Sequence, residues 1–450
     1  MAPLSKARTA LAALREDLAG DVFAPWDQGY DEARRVFSAL SDRRPAVIAR
    51  CADETDVVRA VRFARDLDLR IAVRGGGHGL AGAARVDGAL LVDLRRMRRV
   101  SVDPAARTAR AEGGATLGGL DRATRPHGLA AAGAHAPAAG AVGLAGFVLG
   151  GGTGRPDRAL GLAVDDLLGV ELVTADAERV RAGPDEHPEL FWALHGGGGN
   201  FGIATALTLR LHPLPGFSLT LLLCPPWLGP ALVRAFREVI RAGPDAVGGE
   251  VTYPTAGEPV YGALLTYPGG QADLRGLAGP LLALPHEAEL TGADALRLLG
   301  CPPGARAHWS AECPTALPDE LVDVFCARAR ALSVPGGSRH TLFPLGGAVA
   351  TGPVPAAYPV PYRDAAWVVR PFAQWADPAD DERALAWVRD ARADVRPWAG
   401  GAVCLSLVGD EGPERVRAGL GAGNLLRLEK VKRRYDPDNV FRCNHNIEPV

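Results

Sequence analysis

A run of three glycines at positions 75–77 lies between the apolar stretch 70–74 and His78. The stretch before the run is rich in β-branched residues, which predicts a strand that ends directly at the glycines. Glycines have no Cβ, so several consecutive backbone N–H groups can converge on one anion, such as a phosphate. The run matches neither a P-loop nor a Rossmann turn, because it lacks the GK[ST] ending and the following helix. It therefore predicts close contact between backbone and ligand, with a glycine-rich turn carrying a surface histidine as the alternative.

Further glycine runs occur at 142–146, 150–154 and 196–199. Glycine accounts for 55 of the 450 residues, and its clusters have no fixed period, so a collagen-like or low-complexity chain is excluded. Several such runs in one part of the chain imply an extended ligand with many backbone contacts. A dinucleotide is the natural candidate.

Composition and charge narrow the class of partner. The formal net charge is −2, with 47% hydrophobic and 23% charged residues, which is typical of a soluble globular protein and does not favour nucleic acid or an anionic membrane. The seven cysteines form no CxxC pair, and the first residues do not resemble a signal peptide, so we expect a cytoplasmic protein with reduced thiols. The uncharged stretch 128–154 is too rich in glycine and alanine for a membrane helix and is predicted to be packed loop and strand.

The apolar patterns predict helices alternating with strands. The expected helices are 4–18, 54–68, 228–242, 319–332, 380–396 and 425–435, and the expected strands include 46–50, 70–74, 89–94, 216–224 and 259–267. Prolines at 213, 215, 225 and 226 indicate a boundary between two regions. A chain of 450 residues is also longer than one hydrophobic core usually organises, so two domains are expected.

Six stretches resemble a known family. They are PAVIARCADETDVVRAVRFARD, VRGGGHGLAG, GLAGFVLGGGTG, RALGLAVDDLLGVELVTADA, LFWALHGGGGNFGI and KRRYDPDNVFRCNHNIEP. Together they resemble the vanillyl-alcohol-oxidase-type FAD-binding fold, in its berberine-bridge-enzyme-like branch. The resemblance implies an α+β protein: a two-subdomain PCMH-type FAD-binding domain with an inserted α/β substrate domain, an antiparallel sheet covered by helices. The implied boundaries are 1–213 for the FAD-binding domain, 214–401 for the substrate-binding domain and 402–450 for the return to the FAD-binding domain.

The resemblance also implies how FAD is held. His78 is expected to bond through its ring to the 8α-methyl group of FAD, and a second, cysteinyl bond is not expected because Ala139 stands where some relatives have cysteine. The other residues implied in cofactor binding are Arg74, Gly75, Gly76, Gly77, Gly79, Leu80, Gly114, Gly143, Gly146, Gly151, Gly152, Gly202, Ile203, Asn444 and Asn446.

The implied activity is oxidation of a small organic molecule, a secondary metabolite, with dioxygen as electron acceptor and hydrogen peroxide as product. Val142 stands at a position where valine in relatives tends to admit dioxygen to the flavin. No residues have the spacing of metal ligands.

The chain departs from the family at the expected catalytic base. Many relatives carry Tyr-x-Asn just before the Gly-Asp-Glu-Gly at 409–412, whereas this chain has no tyrosine at 403–406. A second tyrosine is usual in relatives at the position where this chain has Gly421. Ser406, Tyr358, Tyr362 and His135 are the remaining polar candidates for the pocket.

Two alternatives follow from the missing tyrosines. A hydroquinone ionises far more easily than an alcohol, so the chain could be a drug-resistance flavoprotein that reoxidises an activated quinone. It could also be a flavoprotein that binds a metabolite without turnover.

Overall fold

The computed structural model describes residues 2–83, 86–133, 140–255, 260–298, 304–334, 336–352 and 358–450. Helices and strands are mixed along the chain, and four sheets form, of which the three larger contain four, five and seven strands. No helix within these ranges is long and apolar enough to cross a membrane.

The chain up to residue 213 contains eight helices and eleven strands within the described residues. The helices are α1 (Ala2–Asp17), α2 (Tyr30–Ala33), α3 (Glu54–Asp66), α4 (Leu80–Ala83), α5 (Leu117–Thr124), α6 (Leu144–Leu149), α7 (Asp157–Leu160) and α8 (Pro188–Leu194). The strands are β1 (Asp21–Phe23), β2 (Val47–Arg50), β3 (Ile71–Arg74), β4 (Leu90–Asp93), β5 (Val100–Asp103), β6 (Thr108–Glu112), β7 (Leu129–Ala130), β8 (Leu167–Val173), β9 (Arg179–Ala182), β10 (Ile203–Arg210) and β11 (His212–Pro213).

The four-stranded sheet, in the order β1-β2-β4-β3, sets the direction of the first glycine run. Strands β2, β4 and β3 are parallel, and β1 is antiparallel to β2. Helix α3 connects β2 to β3; it begins after Asp53, whose side chain accepts a hydrogen bond from the Asp56 backbone N–H, and it packs into the core beneath the sheet. Strand β3 then ends at Arg74, so residues 75–79 leave the carboxyl edge of the sheet as predicted.

The five-stranded sheet, in the order β5-β6-β10-β8-β9, is antiparallel throughout. Its inward side chains share a large apolar core with α5, α6 and α8. The backbone N–H of Gly113, just after β6, donates to the carbonyl of Thr205 in β10, which keeps the end of β6 tied to the centre of the sheet.

The chain after residue 213 contains the seven-stranded sheet and further helices. The strands are β12 (Ser218–Cys224), β13 (Gly248–Pro254), β14 (Tyr261–Tyr267), β15 (Ala288–Thr291), β16 (Arg306–Trp309), β17 (Arg339–Pro344) and β18 (Trp367–Trp375). The helices are α9 (Gly229–Ala242), α10 (Gln271–Leu277), α11 (Gly279–Leu282), α12 (Gly292–Leu298), α13 (Asp319–Arg330), α14 (Ala348–Thr351), α15 (Asp381–Val395), α16 (Pro413–Leu420) and α17 (Ala422–Tyr435).

The seven-stranded sheet is antiparallel and has the order β15-β12-β14-β13-β17-β18-β16. Its residues Leu342 and Val369 share a buried apolar cluster with Phe236 of α9, Phe325 of α13 and Trp387 of α15. These helices therefore cover one face of the sheet. On the opposite face, α12 packs against β12 and β15, and residues of β13, β16, β17 and β18 contribute to the wall of a cavity.

The tail after α17 returns to the first part of the chain. Lys432 and Asp436 form a fully buried ion pair at 2.6 Å, and the Lys432 ammonium also donates to the carbonyls of Asn200 and Phe441. The side-chain oxygen of Asn200 accepts from the backbone N–H of Ile447. Such groups are costly to bury unless they are paired, so these contacts fix the tail at 441–447 in one position.

Most predicted elements are present, and two regions differ. The stretch 128–154 includes the helix α6, whereas packed loop and strand were predicted; glycines at 143 and 146 weaken the helical pattern in the sequence. Strands β13, β15, β16, β17 and β18 were not predicted. Pro371 in the middle of β18 argues against a strand by sequence, and Arg339 and Arg370 interrupt the apolar pattern.

Candidate functional site

One large cavity lies between the glycine runs, the C-terminal tail and the open face of the seven-stranded sheet. Its volume is about 600 Å³, within the usual range for sites that bind small organic ligands. Its lining includes residues of strands β13, β16, β17 and β18. It also includes residues within the stretches 71–81, 142–150, 196–204, 405–408 and 441–445. The predicted glycine runs and the predicted tail thus meet at a single site.

The first two glycine runs are in direct backbone contact. A Cβ on Gly76 would lie 2.2 Å from the Gly143 nitrogen, and a Cβ on Gly143 would lie 2.3 Å from the Gly76 nitrogen. Any side chain at either position would therefore push the two segments apart. Gly77 has a φ of +75°, a conformation that other residues rarely adopt. These glycines bring two stretches of backbone together along one side of the cavity.

Arg74 lines the cavity, but its guanidinium is bound within the protein. It is 3% exposed, forms an ion pair with Asp93 at 2.6 Å and donates to the carbonyls of Ala33 and Arg35. The side chain therefore holds the end of β3 in place, and the contribution of Arg74 to ligand binding is restricted to its backbone.

His78 lies on the wall of the cavity and is half-buried. Its ring stacks on Phe37, with 4.3 Å between the ring centroids and 23° between the planes. Burial lowers the pKa of His78 below its ordinary value, so the neutral imidazole is favoured at pH 7. A neutral imidazole has a nitrogen lone pair that can form a bond, and the stacked ring restricts its orientation.

The remaining predicted cofactor residues fall into two groups. Those that line the cavity with Arg74 and His78 are Gly75, Gly76, Gly77, Gly79, Leu80, Gly143, Gly146, Gly202, Ile203 and Asn444. Those outside the lining are Gly114, Gly151, Gly152 and Asn446. A Cβ on Gly114 would lie 1.8 Å from the Leu94 carbonyl oxygen, and one on Gly151 would lie 2.2 Å from the Tyr362 hydroxyl. At both positions the absence of a side chain allows close packing within the protein.

Asn444 offers an unused hydrogen-bonding group at the cavity. Its side-chain nitrogen donates to the carbonyls of Gly199 and Phe441, at 3.3 Å and 3.2 Å. Its side-chain oxygen is buried and has no partner among the described residues. An unpaired buried acceptor is costly, so this oxygen fits a ligand that carries an N–H donor.

The predicted polar candidates are placed in different surroundings. Ser406 and Val142 line the cavity, and the Ser406 hydroxyl lies 3.2 Å from the Cys404 sulfur. Tyr358 lies outside the lining and stacks on His195, with 3.8 Å between centroids. Tyr362 is fully buried beside Cys404, and burial raises its pKa well above the ordinary value. His135 and Ala139 lie outside the described residues.

The cavity wall includes no tyrosine among its described residues. The tyrosine that is missing from the sequence motif is therefore also missing from the described wall of the cavity. No tyrosine from another part of the chain replaces it there. Tyr362 stays neutral behind Cys404 and cannot provide a tyrosinate at the wall.

Asp157, at the start of α7, is a site residue that the sequence did not indicate. It lines the cavity, is 4% exposed and accepts a hydrogen bond from the Gly154 backbone N–H at 2.6 Å. Its second carboxyl oxygen has no partner in the described part of the chain. Burial raises the pKa of Asp157 well above its ordinary value, so the neutral acid is favoured.

The raised pKa of Asp157 predicts a pH-dependent loss of stability. The unfolded chain releases this proton near pH 4, whereas the folded protein retains it to higher pH, so stability falls as pH rises between the two pKa values. Between pH 5 and 8, the free energy of unfolding of the wild-type protein should decrease by up to about 1.4 kcal/mol per pH unit because of Asp157. Asp157→Asn should remove this decrease. Urea unfolding of wild type and variant at several pH values measures this slope.

Asp31 provides the control for this measurement. Its carboxylate faces solvent, and the hydrogen bond from Arg34 lowers its pKa, so Asp31 changes the slope of stability against pH only at pH values near and below about 4. Between pH 5 and 8 the Asp31→Asn variant should keep the wild-type slope. Equal slopes for wild type and Asp157→Asn would show that Asp157 is ionised in the folded protein.

Comparison with known proteins identifies the class to which this site belongs. Residues 45–183 match the family described as FAD binding domain, and residues 413–448 match the family described as berberine and berberine like. The FAD-linked oxidoreductase pgmH of Aspergillus terreus is 30% identical over 464 aligned residues, which cover 94% of this chain and 92% of that protein.

Similarity to 6-hydroxynicotine oxidase is found in both sequence and structure. The (R)-6-hydroxynicotine oxidase of Paenarthrobacter nicotinovorans is 41% identical over 196 residues, 44% of this chain, and the match spans only 42% of that protein's length. The crystal structure of 6-hydroxy-D-nicotine oxidase from Arthrobacter nicotinovorans superposes with a TM-score of 0.85 at 27% identity and covers 96% of this chain and 99% of that one.

The fold and the site therefore define an FAD-dependent oxidoreductase with a PCMH-type FAD-binding fold and a second, antiparallel sheet covered by helices. The chain belongs to the berberine-bridge-enzyme-like family of FAD-linked oxidoreductases. The expectation of that family from the six sequence stretches is confirmed.

Proposed function

We propose that this enzyme oxidises a small organic molecule, a secondary metabolite, and passes the electrons to dioxygen, with its FAD bonded to His78 and to no cysteine. The observation that carries the proposal is the position of His78. It follows β3 directly, lies on the wall of the cavity and adjoins the glycines whose backbone forms that wall.

The residues of the site fit FAD in three respects. The glycine backbone at 75–79 and at 143–146 can approach a pyrophosphate closely, because no side chain intervenes. The unpaired oxygen of Asn444 can accept a hydrogen bond from the N–H of a flavin ring. The ring of His78 stacks on Phe37, and burial favours its neutral form, which has a nitrogen lone pair that can bond to carbon. Residues 1–213 and 402–450 would hold FAD, and residues 214–401 would hold the substrate.

Bound FAD supplies a two-electron acceptor that dioxygen can reoxidise. The substrate loses two electrons and two protons, and dioxygen takes up both to become hydrogen peroxide. Val142 and Ser406 lie on the cavity wall where dioxygen and the substrate would enter. The small valine side chain leaves room for dioxygen, and the Ser406 hydroxyl can accept or donate one hydrogen bond to the substrate.

The activity is tested in two stages with the purified holoenzyme. Candidate donors are mixed with it under nitrogen, and flavin bleaching is followed by absorbance. The reduced enzyme is then mixed with dissolved oxygen, and hydrogen peroxide is measured. One equivalent of peroxide per flavin and reoxidation within seconds support the proposal. Reduced flavin that persists for minutes in air would contradict it.

Replacing Val142 with Leu should slow reoxidation by dioxygen several-fold and leave reduction by the substrate nearly unchanged. The larger side chain fills the space at the wall that dioxygen would use. Val148 is buried in α6 away from the cavity lining, so Val148→Leu is a control for a change of volume in the same segment. Equal reoxidation rates for wild type and Val142→Leu would show that dioxygen reaches the flavin by another route.

A second candidate function is reoxidation of a hydroquinone, as in a drug-resistance flavoprotein. The absence of tyrosine from the described cavity wall favours it. General base catalysis is typically worth about 10²–10⁴-fold in rate, and an alcohol needs that help to lose its hydroxyl proton. A hydroquinone is far more acidic, so it can be oxidised at a site whose described wall includes Ser406 but no tyrosine.

A further inference from the structure

The short segment 154–158, which joins the glycine run at 150–154 to α7, brings two unpaired hydrogen-bonding groups to the cavity. Arg155 and Asp157 both line the cavity. The Arg155 Nε and the Asp157 Oδ1 are buried, and neither has a hydrogen-bond partner in the described part of the chain. Buried polar groups of folded proteins are nearly always paired. Each of these two groups therefore indicates a partner that comes from a bound molecule.

The carboxyl group of Asp157 is held in one orientation. Its Oδ2 accepts a hydrogen bond from the Gly154 backbone N–H at 2.6 Å, and the residue is 4% exposed. Burial raises the pKa of Asp157 well above its ordinary value, so the neutral acid is favoured. Because Oδ2 accepts an N–H, the proton of the neutral acid is placed on Oδ1. The unpaired oxygen is therefore a hydroxyl group with one O–H to donate.

The charged and titratable groups around Asp157 are consistent with a neutral acid. The Arg158 guanidinium donates to two backbone carbonyls of the substrate domain. Asp165, whose negative charge disfavours ionisation of Asp157, is paired with Arg363 at 2.5 Å. Tyr362 is fully buried, and its pKa is raised well above the ordinary value. No ion pair joins Asp157 to a cation within the residues that the structure describes, so no neighbouring charge holds its carboxylate form.

Arg155 adds a second donor to the same segment. Its Nη2 lies 3.8 Å from the Oε1 of Glu250, which is too far for a hydrogen bond, and its Nε is unpaired. A guanidinium has only donors and stays charged. Both unpaired groups of the segment 154–158 are therefore donors, so a ligand must bring acceptors to them. A cationic ligand would face the charges of Arg155 and Arg158 and is disfavoured.

We propose that the substrate carries an uncharged oxygen acceptor, the oxygen of a ketone, quinone, ether or phenol, and that the Asp157 carboxyl group donates a hydrogen bond to it. Arg155 then offers a donor to a second acceptor of the same molecule. The proposal rests on the proposed oxidase function and names the chemistry by which that site recognises its substrate. Asp157 serves here in binding, because a neutral acid cannot take up the hydroxyl proton of a substrate.

Infrared difference spectroscopy detects a proton-bearing carboxyl group directly. For the oxidised holoenzyme, the spectrum of wild type minus that of Asp157→Asn should contain the C=O band of a protonated carboxylic acid, which a carboxylate lacks. Adding acetophenone should shift this band, because a new hydrogen bond from the O–H group changes the strength of the C=O bond. α-Methylstyrene, which has CH2 in place of the ketone oxygen, should leave the band where it is.

Affinities test the same contact independently. Acetophenone and α-methylstyrene are titrated into each holoenzyme and followed by the visible spectrum of the flavin. In wild type the ketone should bind about three- to tenfold more tightly than the alkene, the usual net value of one hydrogen bond. Asp157→Asn should keep this preference, since an amide still accepts from the Gly154 N–H and donates through its own N–H. Asp157→Val, which is similar in shape and has no donor, should lose it, and Asp31→Asn on the surface should behave as wild type.

The proposal fails if the difference spectrum contains no band of a protonated carboxyl group, if acetophenone leaves that band unchanged, or if Asp157→Val keeps the wild-type preference. Tighter binding of cumylammonium, a cation of similar shape, would also overturn it, because Asp157 would then be a carboxylate that recognises positive charge. The spectra need no valine variant, so the test does not depend on its folding.

The same probes separate this proposal from the proposed function, because none of them is oxidised. A band shift in a protein whose flavin no donor reduces would contradict the proposed function and leave the acceptor site supported. Peroxide formation by a protein without the band shift would do the reverse.

Discussion

Replacing His78 with Ala should abolish the covalent attachment of the flavin completely. When wild-type protein is precipitated with acid, the pellet should remain yellow, because denaturation cannot release a cofactor that is bonded to a side chain. The His78→Ala pellet should be colourless, with FAD recovered in the supernatant. His78 is the histidine that adjoins the glycine run on the cavity wall, and its ring is held by stacking on Phe37.

His445 provides the matched control, because it is a second histidine on the cavity wall. Its ring lies 3.0 Å from the carbonyl oxygen of Leu405, so it is engaged by the backbone of the protein. His445→Ala should keep a yellow pellet. Mass spectrometry of the flavin peptide completes the test: a peptide attached through His78 alone is expected, and a second, cysteinyl bond would show that Ala139 does not decide the mode of attachment.

Hydroquinones should reduce the flavin at least about tenfold faster than sugars or simple benzylic alcohols, a conservative reading of the 10²–10⁴-fold that a general base contributes. The described cavity wall has Ser406 but no tyrosine, and the neutral Tyr362 hydroxyl lies behind Cys404. An alcohol would have to lose its proton to a weak acceptor, whereas the hydroxyl of a hydroquinone is about as acidic as tyrosine itself. Stopped-flow reduction under nitrogen measures both rates directly.

Hydroquinone and benzyl alcohol are similar in size, but the alcohol must lose a hydride from carbon together with a weakly acidic hydroxyl proton. The pair therefore compares a donor that needs a base with one that needs little help. Ser406→Ala should change the hydroquinone rate only modestly, since the serine orients the ring and does not deprotonate it. Fast reduction by a sugar or by benzyl alcohol would show that another residue acts as base. A flavin that no donor reduces would instead indicate a protein that binds its ligand without turnover.

The glycine-rich half of the site could be predicted because its main features depend on residues that are adjacent in the sequence. Strand β3 is an apolar run that ends at the glycines, so the place of His78 follows from adjacent residues. The direct contact between Gly76 and Gly143 could not be predicted, because it joins positions 67 residues apart through the packing of α6. At Gly114 and Gly151 the absence of a side chain allows close packing within the protein, a requirement that the sequence cannot distinguish from contact with a ligand.

The individual residues that the seven-stranded sheet contributes to the cavity wall were not predicted. Arg339, Arg370 and Phe372 converge only through the pairing of β17 with β18, and the proline within β18 conceals that strand. Asp157 has an ordinary sequence context, and its raised pKa comes from burial by distant segments.

The position of the tail has a consequence for maturation of the enzyme. Residues 441–445 form part of the cavity wall, and Asn200 and the Lys432–Asp436 pair hold this segment against the first part of the chain. A nascent chain can form the sheets on the amino-terminal side during synthesis, since domains generally fold as they emerge. It cannot complete the cavity until residue 445 has left the ribosome. Capture of the flavin by the complete cavity therefore requires synthesis through residue 445, and chains truncated before this residue should accumulate as flavin-free protein.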